Sequence, residues 1–206
     1  MDKLIYMDNA ATTSTAPEVV SAMLPFFTEY YGNPSSVYNF AQKSKMAIED
    51  AREIIADSIG AAKSNEIYFT GGGSESDNWA LKAAAEAFKS KGNHIITTKI
   101  EHHAILHTCE WLEKHGYEVT YLGIDKNGRI SLEELENAIT DKTILISVMM
   151  VNNEIGTVQP IKEIGKIAKA HKIIFHTDAV QALGNVPIDV KDMGIDLMSM
   201  SSHKIY

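Results

Sequence analysis

The chain has 206 residues, with 19 basic and 27 acidic side chains and a formal net charge of −8. An acidic chain without a basic run lacks the electrostatic footprint of a nucleic-acid-binding protein. The longest apolar stretch, residues 144–151, is far shorter than the ~20 residues that span a bilayer, and the first residues lack the apolar core of a signal peptide. Because the chain has a single cysteine, Cys109, it can form no internal disulfide. These features predict a cytoplasmic protein that binds neither nucleic acid nor a membrane.

The first sixty residues predict two helices. Pro17 is suited to the first turn of a helix, which we expect over residues 18–27. A turn cluster follows at 31–36, and Ser36 is predicted to cap a long amphipathic helix that ends at Gly60.

After residue 60, two kinds of segment alternate. Short runs rich in β-branched and aromatic residues predict strands at 66–70, 94–98, 118–122, 143–151, 173–177 and 196–200. Apolar residues at helical spacing predict helices at 76–89, 104–115, 132–139 and 161–169. Strands separated by helices of this length form βαβ crossovers, so the sequence predicts an α/β fold whose mostly parallel sheet is covered by helices on both faces.

Ligands of such sheets bind beyond the carboxyl ends of the strands, where four polar clusters fall. The first cluster is a run of three glycines that ends in Gly73 and is followed by Ser74. Glycines allow a close backbone approach to an anion, and a helix N-terminus offers unpaired N–H groups, so Gly73 and Ser74 could hold a phosphate. An ordinary strand-to-helix turn is nearly as compatible with this cluster.

The second cluster contains His102 and His103, with His107 one helical turn further on. A metal site is one interpretation, but no further histidine or cysteine is grouped with them, and we therefore predict no metal. A capping or solvated histidine and a ring that lines a pocket remain the alternatives.

The third and fourth clusters hold the remaining candidates. Asn152 and Asn153 follow the most apolar strand and could form a turn or contact a ligand. Asp178 closes another predicted strand, and a carboxylate buried there would need a cation or a strong donor. Lys204 follows the last strand, where a partly desolvated lysine could form a Schiff base with a carbonyl.

Together these residues resemble the class V aminotransferase-like enzymes that use pyridoxal 5′-phosphate, specifically the cysteine desulfurases of the NifS/IscS type. The resemblance extends from YMDNAATT at 6–13 to the end of the chain. Its further motifs are GNPSS at 32–36, ESDN at 75–78, EH at 101–102, VNNEIG at 151–156, DAVQ at 178–181 and SSHK at 201–204.

The resemblance implies a fold type I pyridoxal-phosphate enzyme and a role for each candidate. Lys204 would hold the cofactor as a Schiff base and act as a base, Asp178 would pair with its ring nitrogen, and His102 would stack on the ring and shuttle protons. The other implied contacts are those of Gln181 with the phenolic oxygen, of Asn153 with the substrate, and of Gly73, Ser74, Ser201 and His203 with the phosphate.

The resemblance also implies a partition of the chain and a reaction. Residues 1–16 would be an extended arm on the side of the small domain, and 17–206 an incomplete large domain, because family chains run to roughly twice this length. The complete protein would convert L-cysteine to L-alanine through an enzyme persulfide for iron–sulfur cluster or thio-cofactor assembly. It would be a homodimer with a sulfur-accepting or iron–sulfur scaffold protein as a possible partner.

Two features depart from the family pattern. Three consecutive glycines stand where the family commonly has a serine or an alanine. The region that supplies the nucleophilic cysteine in the family is not matched, and Cys109 lies mid-helix in a context typical of a buried structural thiol. We therefore expect little or no desulfurase turnover from these 206 residues alone. A selenocysteine lyase or another class V lyase or aminotransferase, and a non-catalytic module, remain the alternative functions.

Overall fold

The computed structural model describes residues 5–206, so the first four positions of the predicted arm lie outside the described residues. The described chain forms two compact units. One unit contains residues 5–69 together with 202–206, and the other contains residues 70–201. The division at residue 16, taken from the family resemblance, stays a prediction.

Helices dominate the first unit: α1 at Pro17–Met23, α2 at Pro25–Thr28 and α3 at Asn39–Ser58. The prediction of one helix over 18–27 is wrong. Pro25 has no backbone N–H to donate to the preceding turn, so the hydrogen-bond ladder is interrupted and a separate short helix begins there.

Helix α3 begins and ends in different ways. The prediction that Ser36 caps it is wrong, because α3 begins after Tyr38 and has no side-chain cap. Ser36 instead donates its N–H to the carbonyl of Asn33, in a turn before the helix. The predicted end is confirmed: Gly60 has φ +70°, and the N–H of Ala61 donates to the carbonyl of Ala56 at 2.9 Å, as in a Schellman motif.

The strand predicted at 66–70 is wrong. A 3₁₀ turn covers Ser64–Glu66, and no strand among residues 5–206 pairs with the extended segment that follows. Tyr68 and Phe69 are 66% and 52% exposed, respectively. A run of β-branched and aromatic residues alone does not make a strand, because each strand needs a neighbour for its backbone groups.

A five-stranded parallel sheet forms the centre of the second unit, with the strand order β2-β1-β3-β4-β5. The strands are β1 at His94–Thr98, β2 at Glu118–Leu122, β3 at Thr143–Ser147, β4 at Ile174–Asp178 and β5 at Leu197–Ser199. The helices are α4 at Gly73–Phe88, α5 at His103–Glu113, α6 at Leu132–Ala138, α7 at Ile161–His171 and α8 at Val190–Met193. The predicted α/β fold with a parallel sheet is confirmed.

Strand β3 is shorter than the apolar run that predicted it. It ends at Ser147, and the N–H of Met149 then donates to the Glu101 carboxyl at 2.9 Å. The N–H groups of Val148 and Met150 still donate to the carbonyls of His176 and Asp178 on β4. Further on, Val151 forms an isolated antiparallel bridge with Val158. The regular strand is therefore four residues shorter than predicted, although the segment after it still bonds to β4.

Each face of the sheet packs against its own helices. Ile95 and Leu145 belong to a core with residues of α4 and α5, whereas Ile96, Ile146 and Phe175 belong to a core with residues of α6 and α7. Successive strand residues alternate between the faces, so both faces are buried as expected for a parallel sheet. No helix within residues 5–206 is long and apolar enough to cross a membrane.

Candidate functional site

Parallel strands bring four polar segments of the second unit to one edge of its sheet. His102 follows β1, Asn153 follows β3, Asp178 ends β4 and Ser201 follows β5. Because all neighbouring strands are parallel, their carboxyl ends lie at the same edge, where ligands of open α/β sheets bind.

Asp178 is the buried carboxyl at this edge. It is 5% exposed, and its Oδ1 accepts a hydrogen bond of 2.9 Å from the N–H of Val180. Its register partner on β5 is Ser199. Gln181 follows in the turn after β4 and is half-buried. A buried carboxylate needs strong partners, so this position favours contact with a cationic group.

Gly73 opens helix α4 at a point of close packing. A Cβ added there would lie 3.0 Å from Cγ2 of Val180 and 3.5 Å from Cβ of Ser201. The structure therefore brings the predicted phosphate residues Gly73, Ser74 and Ser201 to one side of the site. The first N–H groups of a helix have no partner within it, so this end of α4 can bind an anion.

His102 is the N-cap of α5, as one alternative for this residue predicted. Its Nδ1 accepts a hydrogen bond of 3.1 Å from the N–H of Ala104, and the side chain is exposed. A neutral His102 therefore carries its proton on Nε2. The rings of His103 and His107 stack 5.4 Å apart, but no group of three metal-binding side chains forms within residues 5–206.

The two asparagines after β3 have different positions. Asn152 is buried: its Oδ1 accepts from the N–H groups of Glu154 and Ile155, and its Nδ2 donates to the carbonyl of Ile100 at 2.9 Å. Asn152 therefore fixes the loop. Asn153 is half-buried, and its Nδ2 donates to Glu154. Of the pair, only Asn153 has an accessible amide near the site.

Lys204 and His203 belong to the first unit, in a 3₁₀ turn that spans Ser202–Lys204. The carbonyl of His203 accepts from the N–H of Thr13 at 2.9 Å, and its Nδ1 lies 3.1 Å from Oγ1 of Thr12. The N–H of Tyr206 donates to Oγ1 of Thr13 at 2.8 Å. Lys204 is half-buried, and the residues before and after it, His203 and Tyr206, are hydrogen-bonded to the N-terminal segment.

Sequence reasoning assigned no role to three buried ionisable residues of the second unit: Asp77, Glu101 and His176. Burial and the negative charge of Asp178 raise the pKa of Asp77 to about 8. Burial raises the pKa of Glu101 to about 8 and lowers that of His176 to about 3. A signal existed for Asp77, which shares the buried face of α4 with Leu81 and Ala84 at helical spacing.

Cys109 is fully buried in α5, and burial raises the pKa of its thiol to about 12. A thiol rather than a thiolate at neutral pH is a weak nucleophile. The prediction of a buried structural thiol is confirmed.

Comparison with known proteins gives one family. Residues 5–206 match the family model described as aminotransferase class-V. The chain is 64% identical to "Cysteine desulfurase IscS" of Clostridium botulinum (strain Kyoto / Type A2), over 100% of this chain and 52% of the relative. It is 63% identical to "Cysteine desulfurase IscS" of Methanosarcina thermophila, over 98% of this chain and 50% of the relative.

A solved structure titled "SspA in complex with cysteine" superimposes with a TM-score of 0.94 and 47% identity, and the match covers 98% of this chain and 58% of that one. The chain thus spans about half the length of the curated relatives it matches. The resemblance drawn from the motifs is confirmed.

Proposed function

Because the chain belongs to the class-V aminotransferase family, we propose that it is the cofactor-binding part of a pyridoxal-phosphate-dependent cysteine desulfurase. The complete protein would convert L-cysteine to L-alanine and pass the sulfur on through an enzyme persulfide. The observation that carries this proposal is Asp178, a buried carboxyl that ends β4 at the edge of the sheet where the N-terminus of α4 also lies. The names of the relatives support the same reaction.

The residues present fit pyridoxal phosphate in two respects. Gly73 opens α4 and packs closely against Val180 and Ser201. The N–H groups of this helix end and the hydroxyls of Ser74 and Ser201 would bind the phosphate there. Asp178 offers a buried negative charge for the ring nitrogen. When bound, the cofactor supplies an electrophilic aldehyde and a ring that accepts electrons.

The other side chains have proposed roles in binding and proton transfer. Gln181 would donate to the phenolic oxygen, Asn153 would orient the substrate, and His203 would complete the phosphate contacts. His102 would stack on the ring, and since its Nδ1 is held by the N–H of Ala104, it would exchange protons through Nε2. Lys204 would hold the cofactor through Nζ and, once replaced there by the substrate amine, would take the α-proton on that same nitrogen.

Borohydride reduction tests the covalent attachment. The purified protein is incubated with pyridoxal phosphate, reduced, digested and analysed by mass spectrometry. We expect the adduct on the peptide that contains Lys204 and its loss in Lys204→Ala, whereas Lys99→Ala, with the lysine at the end of β1 replaced, should keep it. An equally modified Lys204→Ala protein would exclude the proposed attachment.

Sulfur transfer is tested with cysteine as the substrate. From these 206 residues we expect little or no alanine or persulfide, in the parent protein and in Cys109→Ala alike, because the single thiol is buried and protonated. Alanine and persulfide formed by the parent protein and absent from Cys109→Ala would assign the sulfur-accepting role to Cys109 and contradict the proposal.

Selenocysteine lyase activity is the second candidate. The resemblance covers residues that bind a cofactor and leaves the choice between sulfur and selenium open. Turnover of selenocysteine without turnover of cysteine would replace the desulfurase with the lyase. The proposed partners are a second copy of the chain and a protein that accepts sulfur, and the proposed location is the cytoplasm.

A further inference from the structure

A buried polar layer lies between the sheet and helix α4 of the second unit. His176 is fully buried, with its Nδ1 2.9 Å from Oγ of Ser147 on β3 and its Nε2 3.0 Å from Oγ of Ser199 on β5. Strand alternation places these three side chains on the same face as Ile95 and Leu145, the face covered by α4 and α5. The histidine therefore links three neighbouring strands directly beneath the candidate site.

Two carboxyl groups join this layer, and each has one oxygen without a partner. Asp77 of α4 is 1% exposed; its Oδ1 has no hydrogen-bond partner and lies 3.8 Å from Nε2 of His176. Glu101 is 5% exposed; its Oε1 accepts from Oγ1 of Thr98 at 2.8 Å and from the N–H of Met149, whereas its Oε2 has no partner.

The charged and titratable groups that face these carboxyls come from every element around them. Asp178 of β4 acts on both Asp77 and Glu101, the two carboxyls act on each other, and Glu101 acts on Cys109 of α5. Among residues 5–206, no lysine or arginine forms an ion pair with Asp77 or Glu101, and the imidazole that lies near Asp77 is that of His176. Asp77 and Glu101 thus share a buried region with the carboxyl of Asp178.

Such an arrangement cannot hold three negative charges. Burial penalises each charged form, and each ionised neighbour adds repulsion. Burial also keeps His176 neutral at ordinary pH, because its pKa is lowered to about 3. The free-energy cost is lowest when each carboxyl with an unpartnered oxygen binds a proton. The proton converts that oxygen, an acceptor without a donor, into a hydroxyl.

We propose that Asp77 and Glu101 are positioning residues that keep their protons and thereby leave Asp178 as the single negative charge of the cluster. This assignment deepens the proposed function and rests on it: one carboxylate matches one protonated ring nitrogen, so the charges would balance at that end of the cofactor. The two neutral acids act through Asp178 and do not touch the cofactor. A second ionised carboxyl would leave a buried charge without a partner.

Infrared spectroscopy of the ligand-free protein tests the protonation. The carbonyl stretch of a carboxylic acid is well separated from that of a carboxylate. We expect two acid bands at pH 7, one lost in Asp77→Asn and one in Glu101→Gln. Thr97→Val is the matched control, because it removes a third buried oxygen without a partner that is not a carboxyl, and it should keep both bands. Absence of both bands in the parent protein would overturn the proposal.

Binding of pyridoxamine 5′-phosphate tests the charge match without involving Lys204, because this probe has no aldehyde. At pH 7 we expect Asp178→Asn to weaken binding by about tenfold or more, since it removes the charged partner of a buried ion pair. Asp77→Asn and Glu101→Gln should stay within about threefold of the parent, because an amide is a neutral stand-in for the acid.

The infrared bands test the proton assignment, and binding of the probe tests the proposed function. A tenfold loss in Asp77→Asn at pH 7 would mean that its charge takes part in binding and would overturn the proposal. A parent protein that shows both acid bands but does not bind the probe would contradict the proposed function, while the proton assignment would stand. Should one variant fail to fold by circular dichroism, the other still decides the protonation.

Discussion

The two faces of the central sheet use buried residues differently. The face toward α6 and α7 is packed with large apolar side chains such as Ile146 and Phe175. The face toward α4 and α5 is apolar at Ile95 and Leu145 but becomes polar toward the carboxyl ends of the strands, with Ser147, His176 and Ser199. Apolar packing holds the unit together on both faces, whereas only one face carries the buried titratable groups beneath the candidate site.

The largest expected effect is on the apolar face. Phe175→Ala should lower the free energy of unfolding by about 3–5 kcal/mol, because it leaves a cavity in a fully buried core. The loss should be the same at pH 6.5 and pH 8, since no titratable group is removed. Denaturant titration at both pH values measures it. A strongly pH-dependent loss would show that the two faces are coupled.

The next effect belongs to the polar face and depends on pH. Asp77 and Glu101, with pKa values raised to about 8, bind protons in the native protein that the unfolded chain releases above its ordinary carboxyl pKa near 4. The native state holds more protons in this window, so stability should fall as the pH rises from about 4 to about 8. His176 has the opposite effect between about 3 and 6.5, because its pKa is lowered.

Between pH 6.5 and 8 only the carboxyl contribution remains, at up to about 1.4 kcal/mol per pH unit for each group. Asp77→Asn should therefore reduce the fall in stability across this range, and Asp77→Asn combined with Glu101→Gln should nearly abolish it. The measurement is the free energy of unfolding at several pH values. An unchanged slope in the double variant would show that these carboxyls are not the titrating groups.

The smallest effect compares a hydroxyl on each face. Thr177 donates to the carbonyl of Val148 at 2.8 Å, so Thr177→Val should cost about 1 kcal/mol. The hydroxyl of Thr97 has no partner, so Thr97→Val should be neutral or slightly stabilising. Thermal unfolding of the two variants side by side checks the order. The reverse order would mean that Thr97 has a hydrogen bond in solution.

The sequence pattern predicts the elements of the second unit better than those before residue 70. The strands and the four longer helices of the second unit were predicted to within a few residues, because βαβ units carry strong helical and strand periodicity and each strand finds a parallel neighbour. The short helix α8 was not predicted. The helix at 18–27 and the strand at 66–70 were wrong for local and non-local reasons, respectively. Pro25 interrupts the first, and the second lacks a partner strand among the described residues.

Some residues of the candidate site were also predicted from the sequence, and others were not. Asp178 and Gly73 were identified from their places at strand and helix ends, and the structure brings their segments together within the second unit. Asp77, Glu101 and His176 received no role, because only their joint burial reveals the unusual protonation states. Whether Asn152 or Asn153 faces outward was also undecidable from two adjacent amides.

By itself, the sequence determined the alternation of strands and helices, the family, and the residue types gathered at strand ends, because these follow from periodicity and from motifs that are local in the chain. Only the tertiary structure decided which carboxyls lose contact with water and which others face them. Burial and charge proximity depend on residues that are as far apart in the sequence as Asp77 and Asp178. A local sequence pattern does not show that such residues lie close together in the fold.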